Sequence, residues 1–443
     1  MRKKTFPGGV HPLSHIHHGK RLTDQCAVEV MPVPDEVIIP MSRIIGAPAK
    51  PLVKKGDQVL MGQLIGEAQG FISAHVHASV SGKVKAVKDC PHPTGEKRLA
   101  VVIENDHKDE VHPDIKPYGT IESMESKAIV DMIKACGIVG MGGATFPAHV
   151  KLMPPPDKKI DVVILNGAEC EPYLTSDHRL MVEHPERVVN GLRAVLKVMD
   201  GAKGYIGIED NKKNAIEKIK AEIRDDDNIE VGVVKVKYPQ GAEKQLIHAI
   251  TKRVVPSGKL PMDVGVVVMN VGTAAEVYNA MSTGMPSVQR IVTVTGHCIK
   301  EPKNLMVRFG TTYGQCIDYC GGFTEEPGKV ISGGPMMGIA QPDLLAPVIA
   351  GTSGILALTA KETLQSDINN CIRCGRCVQA CPMNLMPYKI AASADGGRFD
   401  EAQKFNAMDC VECGSCSYIC PSRRMLVQSI RLSKNAIRKS MKK

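Results

Sequence analysis

The sequence predicts a multidomain protein of mixed β and α/β type. Three observations predict this class. Residues 34–105 alternate short Val- and Ile-rich runs with Gly turns, residues 120–265 alternate strand-like with helix-like segments, and eight cysteines crowd into residues 371–420. The chain has 443 residues, and a length of this order suffices for about two to four domains. We therefore expect an all-β domain first, then an α/β domain, a second β-rich domain and a cysteine module.

The composition narrows the class of function. Trp is absent and aromatic residues make up 4% of the chain, which argues against a stacking surface for single-stranded nucleic acid. The net charge is +9, with basic residues at both ends, so solvated tails and contacts with an anionic surface both remain open. We find no signal peptide and no apolar run of membrane-spanning length, so we expect a soluble or peripheral protein without a transmembrane segment. Fifteen cysteines then indicate metal or redox chemistry.

The first domain is expected to be a barrel. The segments "KPLVKKGDQVLMGQLIGEA" (Lys50–Ala68) and "HASVSGKVKAV" (His77–Val87) alternate short apolar runs with Gly turns. They resemble the biotinyl/lipoyl barrel-sandwich family, whose members present a Lys at a hairpin tip. The corresponding tip, "FISAHVHASVSG", has no Lys. We therefore predict a structural or docking barrel and not a carrier.

The next two domains follow from periodicity. "DVVILN" (Asp161–Asn166) is a short buried strand and "HPERVVNGLRAVLKVMD" has helical spacing. This alternation continues to "VGVVKVKYP" and predicts a Rossmann-like, mostly parallel sheet with helices on both faces. Ligands in such sheets bind at the carboxyl ends of the strands. The short strands of residues 286–355 predict a small β-grasp domain, of the kind that resembles soluble ligand-binding domains. The predicted boundaries are 1–115, 120–262, 263–357 and 360–430, followed by a basic tail at 431–443.

The cysteine module consists of two similar runs, "CIRCGRCVQACP" from Cys371 and "CVECGSCSYICP" from Cys410. The spacing C-x2-C-x2-C-x3-C-P is that of bacterial ferredoxins, in which the last Cys of each run binds the cluster of the other run. It predicts a two-cluster, ferredoxin-like α+β domain. One [4Fe–4S] cluster is assigned to Cys371, Cys374, Cys377 and Cys420, and the other to Cys410, Cys413, Cys416 and Cys381.

Two zinc knuckles are the alternative to two clusters, but zinc prefers CxxC pairs separated by a longer loop. Two neighbouring clusters would form a one-electron relay, which needs a donor and an acceptor. No catalytic residue is assigned to the module itself.

Candidate residues for the donor site lie in the α/β domain. Gly140, Gly142 and Gly143 leave backbone N–H groups open to an anion, although a plain tight turn would explain them as well. Asn166, Glu169 and Glu171 follow the end of a buried strand, where a ligand or only solvent could meet them.

Four segments in this order resemble the flavoprotein subunit of respiratory complex I: "GMGGATFPAHVK", "NGAECEP", "YPQGAEKQLI" and "NVGTAAEVY". Together with "FPGGVHP" near the start, the barrel and the cysteine runs, the whole chain is similar to the RnfC family, the C-subunits of ion-translocating Rnf complexes. Thr145 stands where the complex I flavoprotein has a glycine.

The resemblance implies an NADH-linked flavin and iron–sulfur oxidoreductase. FMN contacts would come from Gly140, Gly142, Gly143, Lys151, Asn166, Glu169, Tyr238, Gly241, Glu243, Asn270 and Thr273. Glu171 would lie near the nicotinamide nucleotide and favour NAD over NADP. The implied partners are NAD(H), the other subunits of a membrane complex and a ferredoxin-linked cluster subunit. The implied location is peripheral, on the cytoplasmic side of the cell membrane, where the complex couples electron flow to Na+ or H+ transport.

Two other functions remain open. A soluble flavin reductase, such as a cobalamin reductase or an electron-transfer protein of an amino-acid reductase, would keep the flavin and the clusters. A scaffold without enzymatic activity would keep only relay clusters. The His-rich segment His11–Lys20 is predicted to be a surface or partner-contact segment, with metal binding as the alternative.

Overall fold

The computed structural model describes residues 4–12, 19–363 and 367–441. The prediction for the His-rich segment His11–Lys20 therefore lies mostly outside the described residues. Among the helices described, none combines the length and the apolar composition that crossing a membrane requires.

The first domain is a barrel-sandwich of two antiparallel sheets. Its strands are β2 (Glu36–Pro40), β3 (Lys50–Pro51), β4 (Gln58–Val59), β5 (Leu64–Glu67), β6 (Val76–His77), β7 (Gly82–Pro91) and β8 (Lys97–Asn105). The strand orders are β2-β8-β7-β4 and β3-β5-β6. Val37, Ile39 and Ile103 point into a common apolar core because alternate residues of a strand face the same side.

The hairpin tip of the barrel packs on the second domain. Gly137 of that domain has φ +63°, and a Cβ there would overlap the carbonyl of His75 in the tip. Nearby, the N–H of Ile44 donates to Oγ1 of Thr145 at 2.7 Å. The tip is thus engaged in an interdomain contact.

The second domain is the predicted α/β layer. Its strands are β9 (Val162–Gly167), β10 (Lys203–Glu209), β11 (Ile229–Val234) and β12 (Val266–Asn270). Its helices are α1 (Ser126–Ala135), α2 (Ala148–Lys151), α3 (Ser176–Glu183), α4 (Pro185–Val198), α5 (Lys213–Glu222), α6 (Glu243–Thr251) and α7 (Val271–Thr283). The sheet is parallel throughout, in the order β11-β10-β9-β12. Val163 and Leu165 belong to the apolar core on one face, and Val162 and Ile164 to that on the other.

The structure places the end of this domain later than the predicted boundary at 262. β12 pairs with β9, and α7 packs so closely on α4 that a Cβ on Gly191 would overlap the backbone of Ala274. Residues 263–283 therefore belong to the parallel sheet and its helices. A buried strand followed by a helix has the same pattern in either domain, and only the pairing partner distinguishes them.

The third domain is built on a six-stranded mixed sheet. Its elements are β13 (Gln289–Thr295), β14 (Lys303–Arg308), β15 (Pro327–Ser332), β16 (Ile339–Ala340), β17 (Gly354–Thr359) and helix α8 (Tyr313–Tyr319). A strand from the start of the chain, β1 (Val28–Val30), extends the sheet beyond β14, giving the order β1-β14-β13-β17-β15-β16. Tyr313 and Ile317 of α8 are buried against the sheet.

The last domain holds the cysteine runs, and its regular structure is helical. After α9 (Ala360–Thr363) come α10 (Arg376–Ala380), α11 (Pro387–Asp395), α12 (Phe399–Lys404), α13 (Ser415–Tyr418) and α14 (Leu426–Ser440). The boundary predicted between 430 and 431 falls inside α14. Ile430 and Ile437 are buried beside Cys381, and Lys434 is buried as well, so the described part of the basic segment belongs to an amphipathic helix and is not a separate tail.

Candidate functional site

The eight cysteines of the C-terminal domain surround two cavities. One cavity is lined by Cys371, Cys374, Cys377 and Cys420, which we name the outer set. The other is lined by Cys381, Cys410, Cys413 and Cys416, which we name the inner set. In each set three thiols come from one run and the fourth from the other, as the spacing predicts. The thiols encircle the cavities: in the described chain, no three His, Cys, Asp or Glu side chains converge on a point that could hold a single metal ion.

The backbone of both loops is shaped to receive an anionic group. Arg373 and Gly375 have φ of 54° and 74°, and Glu412 and Gly414 have φ of 57° and 82°. Such left-handed residues turn successive N–H groups toward one side and form an anion-binding concavity. The position of a Cβ on Gly375 is open space. The loops therefore fit the sulfide-rich surface of an iron–sulfur cluster.

Contacts to the sulfur atoms support the same fit. The N–H of Glu412 donates to Sγ of Cys410 at 3.3 Å, and that of Leu385 donates to Sγ of Cys381 at 3.4 Å. Burial raises the pKa of the Cys410 thiol to about 11. A thiolate in the inner set therefore needs a cationic centre beside it, which the iron of a cluster supplies.

The two sets differ in exposure. Cys371 and Cys374 of the outer set are exposed, whereas Cys413 and Cys416 of the inner set are each 7% exposed. The inner set is closed off by the α/β domain, because the hydroxyl of Tyr238 donates to the carbonyl of Cys413 at 2.7 Å.

The glycine loop of the α/β domain meets the start of α7. The N–H of Met141 donates to Oγ1 of Thr273 at 2.9 Å, and a Cβ on Gly142 would lie 3.5 Å from Asn270. The N–H of Gly140 closes the loop on the carbonyl of Phe146 at 2.8 Å. Gly143 has φ +109°, and the position of a Cβ there is open. Loop and helix start therefore form one shallow cradle with free space above it.

Thr145 has φ +51°, a backbone conformation that favours glycine. Its hydroxyl accepts the N–H of Ile44 from the barrel, as described above. The threonine thus offsets its backbone strain with an interdomain hydrogen bond.

The carboxyl ends of neighbouring strands bring the other predicted residues to the same edge. Asn166 is the next-to-last residue of β9, and its Nδ2 donates to the carbonyl of Gly241 at 2.8 Å. Nζ of Lys151 donates to the carbonyl of Val268 at 2.8 Å and to Oε1 of Glu243 at 3.1 Å. These contacts join residues from distant segments along the edge of the sheet.

Glu169 is a deeply enclosed acidic residue of this edge, with a side chain only 4% exposed. Its Oε1 accepts the N–H of Asp177 at 2.7 Å, but its Oε2 has no hydrogen-bond partner. Burial raises the pKa of Glu169, and Nζ of Lys20 lies 3.8 Å from Oε2. An enclosed carboxylate oxygen without a donor fits a ligand that brings one, such as the ring N–H or ribityl hydroxyls of a flavin.

Three residues around Glu169 were not predicted from the sequence. Nζ of Lys20 also donates to the Glu169 carbonyl at 2.9 Å, and Nζ of Lys212 donates to that of Ala168 at 2.8 Å. Asp177, whose pKa burial raises to about 6, accepts Nδ2 of Asn270 at 2.8 Å. Each comes from a segment without a recognisable motif, although Lys20 closes the His-rich stretch and Asp177 follows the segment "NGAECEP" by five residues.

Glu171 and Tyr238 lie toward the inner set. The carboxylate of Glu171 accepts the N–H groups of Met336 at 3.1 Å and Met337 at 2.9 Å, and burial raises its pKa to about 7. The hydroxyl of Tyr238 lies 3.4 Å from Glu171, so Tyr238 touches both Glu171 and Cys413. This junction connects the edge of the sheet with the cysteine module.

Comparison with known protein families covers most of the chain. The RnfC barrel sandwich hybrid domain matches residues 4–108, and the Nuo51 FMN-binding domain matches residues 133–279. The SLBB domain matches residues 291–340, and a 4Fe-4S dicluster domain matches residues 370–423. The predicted fold class and its domain order are thereby confirmed, and so are the two cofactor types, FMN and [4Fe–4S].

Several relatives match over nearly the full length. The C-subunit of the Na(+)-translocating ferredoxin:NAD(+) oxidoreductase complex of Acetobacterium woodii is 54% identical, over 99% of this chain and 98% of that protein. Its counterpart in the proton-translocating complex of Clostridium ljungdahlii is 51% identical, over 98% and 94%. The C-subunit of the ion-translocating oxidoreductase complex of Rhodobacter capsulatus is 43% identical, over 99% and 84%. An NAD+-reducing [NiFe]-hydrogenase crystal structure, air-oxidized, shares the fold, with a TM-score of 0.50 and 18% identity over 72% of this chain and 67% of that chain.

Proposed function

The chain belongs to the RnfC family of ion-translocating ferredoxin:NAD(+) oxidoreductase complexes, and we propose that it is the NAD-facing electron-transfer arm of such a complex. In this role it exchanges electrons between NAD(H), FMN and two [4Fe–4S] clusters. The complex as a whole couples this flow to Na+ or H+ transport.

One observation carries the proposal. The edge of the sheet that holds Glu169 is joined through Glu171 and Tyr238 to Cys413 of the buried inner set, and the outer set is open to solvent. A two-electron site, a buried one-electron site and an exposed one-electron site would thus follow one another. That order is the one that a converter between NAD(H) and a one-electron partner requires.

The residues proposed to hold FMN line the cradle and the edge of the sheet. We assign the anionic end to the N–H groups of Gly142 and Gly143 and to the start of α7, since loop and helix N–H groups attract phosphate. The N–H of Gly140, which the sequence predicted to be open to an anion, instead donates to the Phe146 carbonyl, so Gly140 shapes the loop. The remaining contacts are assigned to Lys151, Asn166, Glu169, Tyr238, Gly241, Glu243, Asn270 and Thr273. Glu171, predicted near the nicotinamide nucleotide, is held by the N–H groups of Met336 and Met337 beside Tyr238, so we assign it to the path between the edge of the sheet and the inner set.

Bound FMN supplies the conversion between the two-electron chemistry of NADH and one-electron transfer. The protein's part is to hold the side chains that contact the flavin in place and to set the charge around them. Asp177 and Lys20 flank Glu169 and hold its position: Asp177 donates its N–H to one oxygen, and Lys20 donates to the Glu169 carbonyl. Burial raises the pKa of Glu169, while the ammonium groups of Lys20 and Lys212 oppose this shift.

The outer set is proposed as the port for the electron partner, a ferredoxin-linked cluster subunit of the complex. Ile368 and Ile372 are 53% and 68% exposed next to this set, Arg373 lies in the same loop, and Arg376 begins α10 directly after it. Exposed apolar residues within a basic rim suit an acidic partner, because opposite charge guides association and apolar contact retains it. We place the protein peripherally, on the cytoplasmic side of the cell membrane.

The test uses the full chain reconstituted anaerobically with iron, sulfide and FMN. NADH is added, and the visible spectrum and the low-temperature electron paramagnetic resonance (EPR) spectrum are recorded. We expect flavin bleaching followed by reduction of both clusters. The matched control is Cys26→Ser, which removes a thiol outside both sets and should change neither signal.

Two results would contradict the proposal. Clusters without flavin and without a response to NADH would favour a scaffold that carries only a relay. NADH-dependent reduction by a protein that never co-purifies with membrane subunits from its own host would favour a soluble reductase.

A further inference from the structure

The first described residues of the chain, Lys4–Pro12, form an extended segment that we name the strap. One side of the strap pairs with the α/β domain. The N–H of Val10 donates to the carbonyl of Tyr238 at 2.7 Å, and the N–H of Tyr238 donates back to the carbonyl of Val10 at 2.9 Å. At the other end, the N–H of Lys235 donates to the carbonyl of Lys4 at 3.0 Å. The strap therefore pairs through backbone hydrogen bonds with the segment that contains Tyr238.

The other side of the strap touches the cysteine module. The N–H of Gly9 donates to the carbonyl of Ala380 at 2.9 Å. Gly8 has φ +75°, and a Cβ there would lie 2.7 Å from the carbonyl oxygen of Cys381. Backbone meets backbone at this point, with no flexible side chain that could give way. Only a glycine lets the strap approach Cys381 this closely.

A contact between Phe6 and Lys237, which we name the latch, holds the strap in place. Phe6 is 3% exposed. Nζ of Lys237 donates to the Phe6 carbonyl at 2.9 Å and lies 4.6 Å from the centroid of its ring. A cation above an aromatic ring adds to the hydrogen bond at this position. The latch lies on the domain side of the strap, away from the thiols.

The strap and Tyr238 together hold both loops of the inner set. Cys381 is held through Gly8 and Gly9, and Cys413 is held through the Tyr238 hydroxyl. The same short stretch, from Lys237 to Gly241, also supplies the carbonyl that accepts Nδ2 of Asn166. One loop of the α/β domain thus contacts the proposed flavin edge on one side and both halves of the inner set on the other.

We propose that the strap is a positioning element that sets the distance between the flavin site and the inner cluster. Its loss slows electron transfer between these centres and leaves the reaction with NADH unchanged. The step concerned would move one electron at a time from the reduced flavin to the oxidised inner cluster, which would pass it to the outer cluster before accepting the second. The flavin would release its protons to solvent, and no bond of the chain would break. This inference rests on the proposed function, since it assumes both centres.

The test compares Gly8→Ala with Gly201→Ala in the reconstituted full chain. Gly201 has the same φ of +75°, but nothing lies within 4 Å of its Cβ position, so the two variants share the backbone strain and differ in the clash. Rapid mixing with NADH follows flavin bleaching and cluster reduction separately. We expect cluster reduction in Gly8→Ala to be at least about tenfold slower, since ångström-scale displacements of reacting centres cost rates of this order. Flavin bleaching and bound iron should match those of Gly201→Ala.

A second variant keeps the test decisive if Gly8→Ala fails to bind iron. Lys237→Met removes the latch without approaching a thiol and should slow cluster reduction in the same direction. It should also weaken the magnetic interaction between flavin and inner cluster in the EPR spectrum, a change that general destabilisation does not produce.

Cluster reduction in both variants at the rate of Gly201→Ala would overturn the role of the strap. A wild-type protein whose flavin does not respond to NADH would instead refute the proposed function.

Discussion

Lys212 and Glu209 form a buried ion pair beneath the proposed flavin site, and breaking it should be costly. Their side chains are 3% and 2% exposed, and Nζ lies 3.1 Å from Oε2. The same ammonium donates to the Ala168 carbonyl at 2.8 Å, in the loop that carries Glu169. Lys212→Met keeps most of the length of the side chain but leaves the Glu209 carboxyl enclosed without this ammonium.

The magnitude follows from burial. Removing one partner of a buried pair costs about 3–5 kcal/mol, because the remaining charge is neither solvated nor paired. Lys203 and Glu230 provide the matched control. Their ammonium–carboxylate distance is 3.0 Å, but the side chains are 44% and 43% exposed. Exposed pairs contribute about 0–1 kcal/mol, so Lys203→Met should change little.

The assay is urea unfolding of the α/β domain within the full chain, together with FMN titration of each variant. We expect Lys212→Met to lower the free energy of unfolding by several times the loss in Lys203→Met. We also expect weaker FMN binding, since the Ala168 carbonyl loses its donor. Equal losses in the two variants would refute the reasoning that burial decides the strength of this pair.

Three further predictions concern the clusters, the pH dependence and the helix packing. Cys374→Ser and Cys413→Ser should each lose about half of the bound iron, but only Cys374→Ser should retain a cluster that NADH reduces; identical EPR losses would contradict the assigned order. Burial raises the pKa of Glu276 to about 8 from an ordinary value of 4.5, so the folded chain keeps a proton that the unfolded chain releases. Stability should therefore fall as the pH rises from 4.5 to about 8 and then level off, and Glu276→Gln should flatten this slope in urea midpoints measured across that range. Gly191→Ala should destabilise the α/β domain by about 1–3 kcal/mol in the same assay, because the added methyl group would overlap the backbone of Ala274. A loss of stability smaller than that of an exposed Gly→Ala substitution would count against this contact.

The sequence predicted most of the cysteine module because its information is local. Thiols two and three residues apart can reach one cubane only from a tight loop, and the doubled run indicates the exchange of the fourth ligand. The structure brings the same two sets together around two cavities. The sequence pattern does not indicate exposure, so the difference between the outer and the inner set comes from the packing of Tyr238 and the strap.

The domain order was also predictable, whereas two boundaries were not. A strand and a helix such as β12 and α7 have the same local pattern in any α/β domain, and pairing with β9 assigns them to the parallel sheet. Likewise, the charges after Arg431 indicate a tail, but the apolar positions Ile430 and Ile437 of α14 fix it to the cluster domain.

By itself the sequence determined the fold class, the family resemblance and the chemistry of the cofactors. Periodicity and cysteine spacing are local properties of the chain, and the resemblance rests on motifs that are local as well. Only the tertiary structure decided which side chains surround Glu169 and which loops hold the inner set. Lys20, Lys212 and the strap contact these residues from segments that are far away in sequence. No local sequence pattern predicts such a contact. The physical reason is that burial and pairing depend on packing between distant segments, and it is burial that gives a carboxylate its raised pKa and an ion pair its strength.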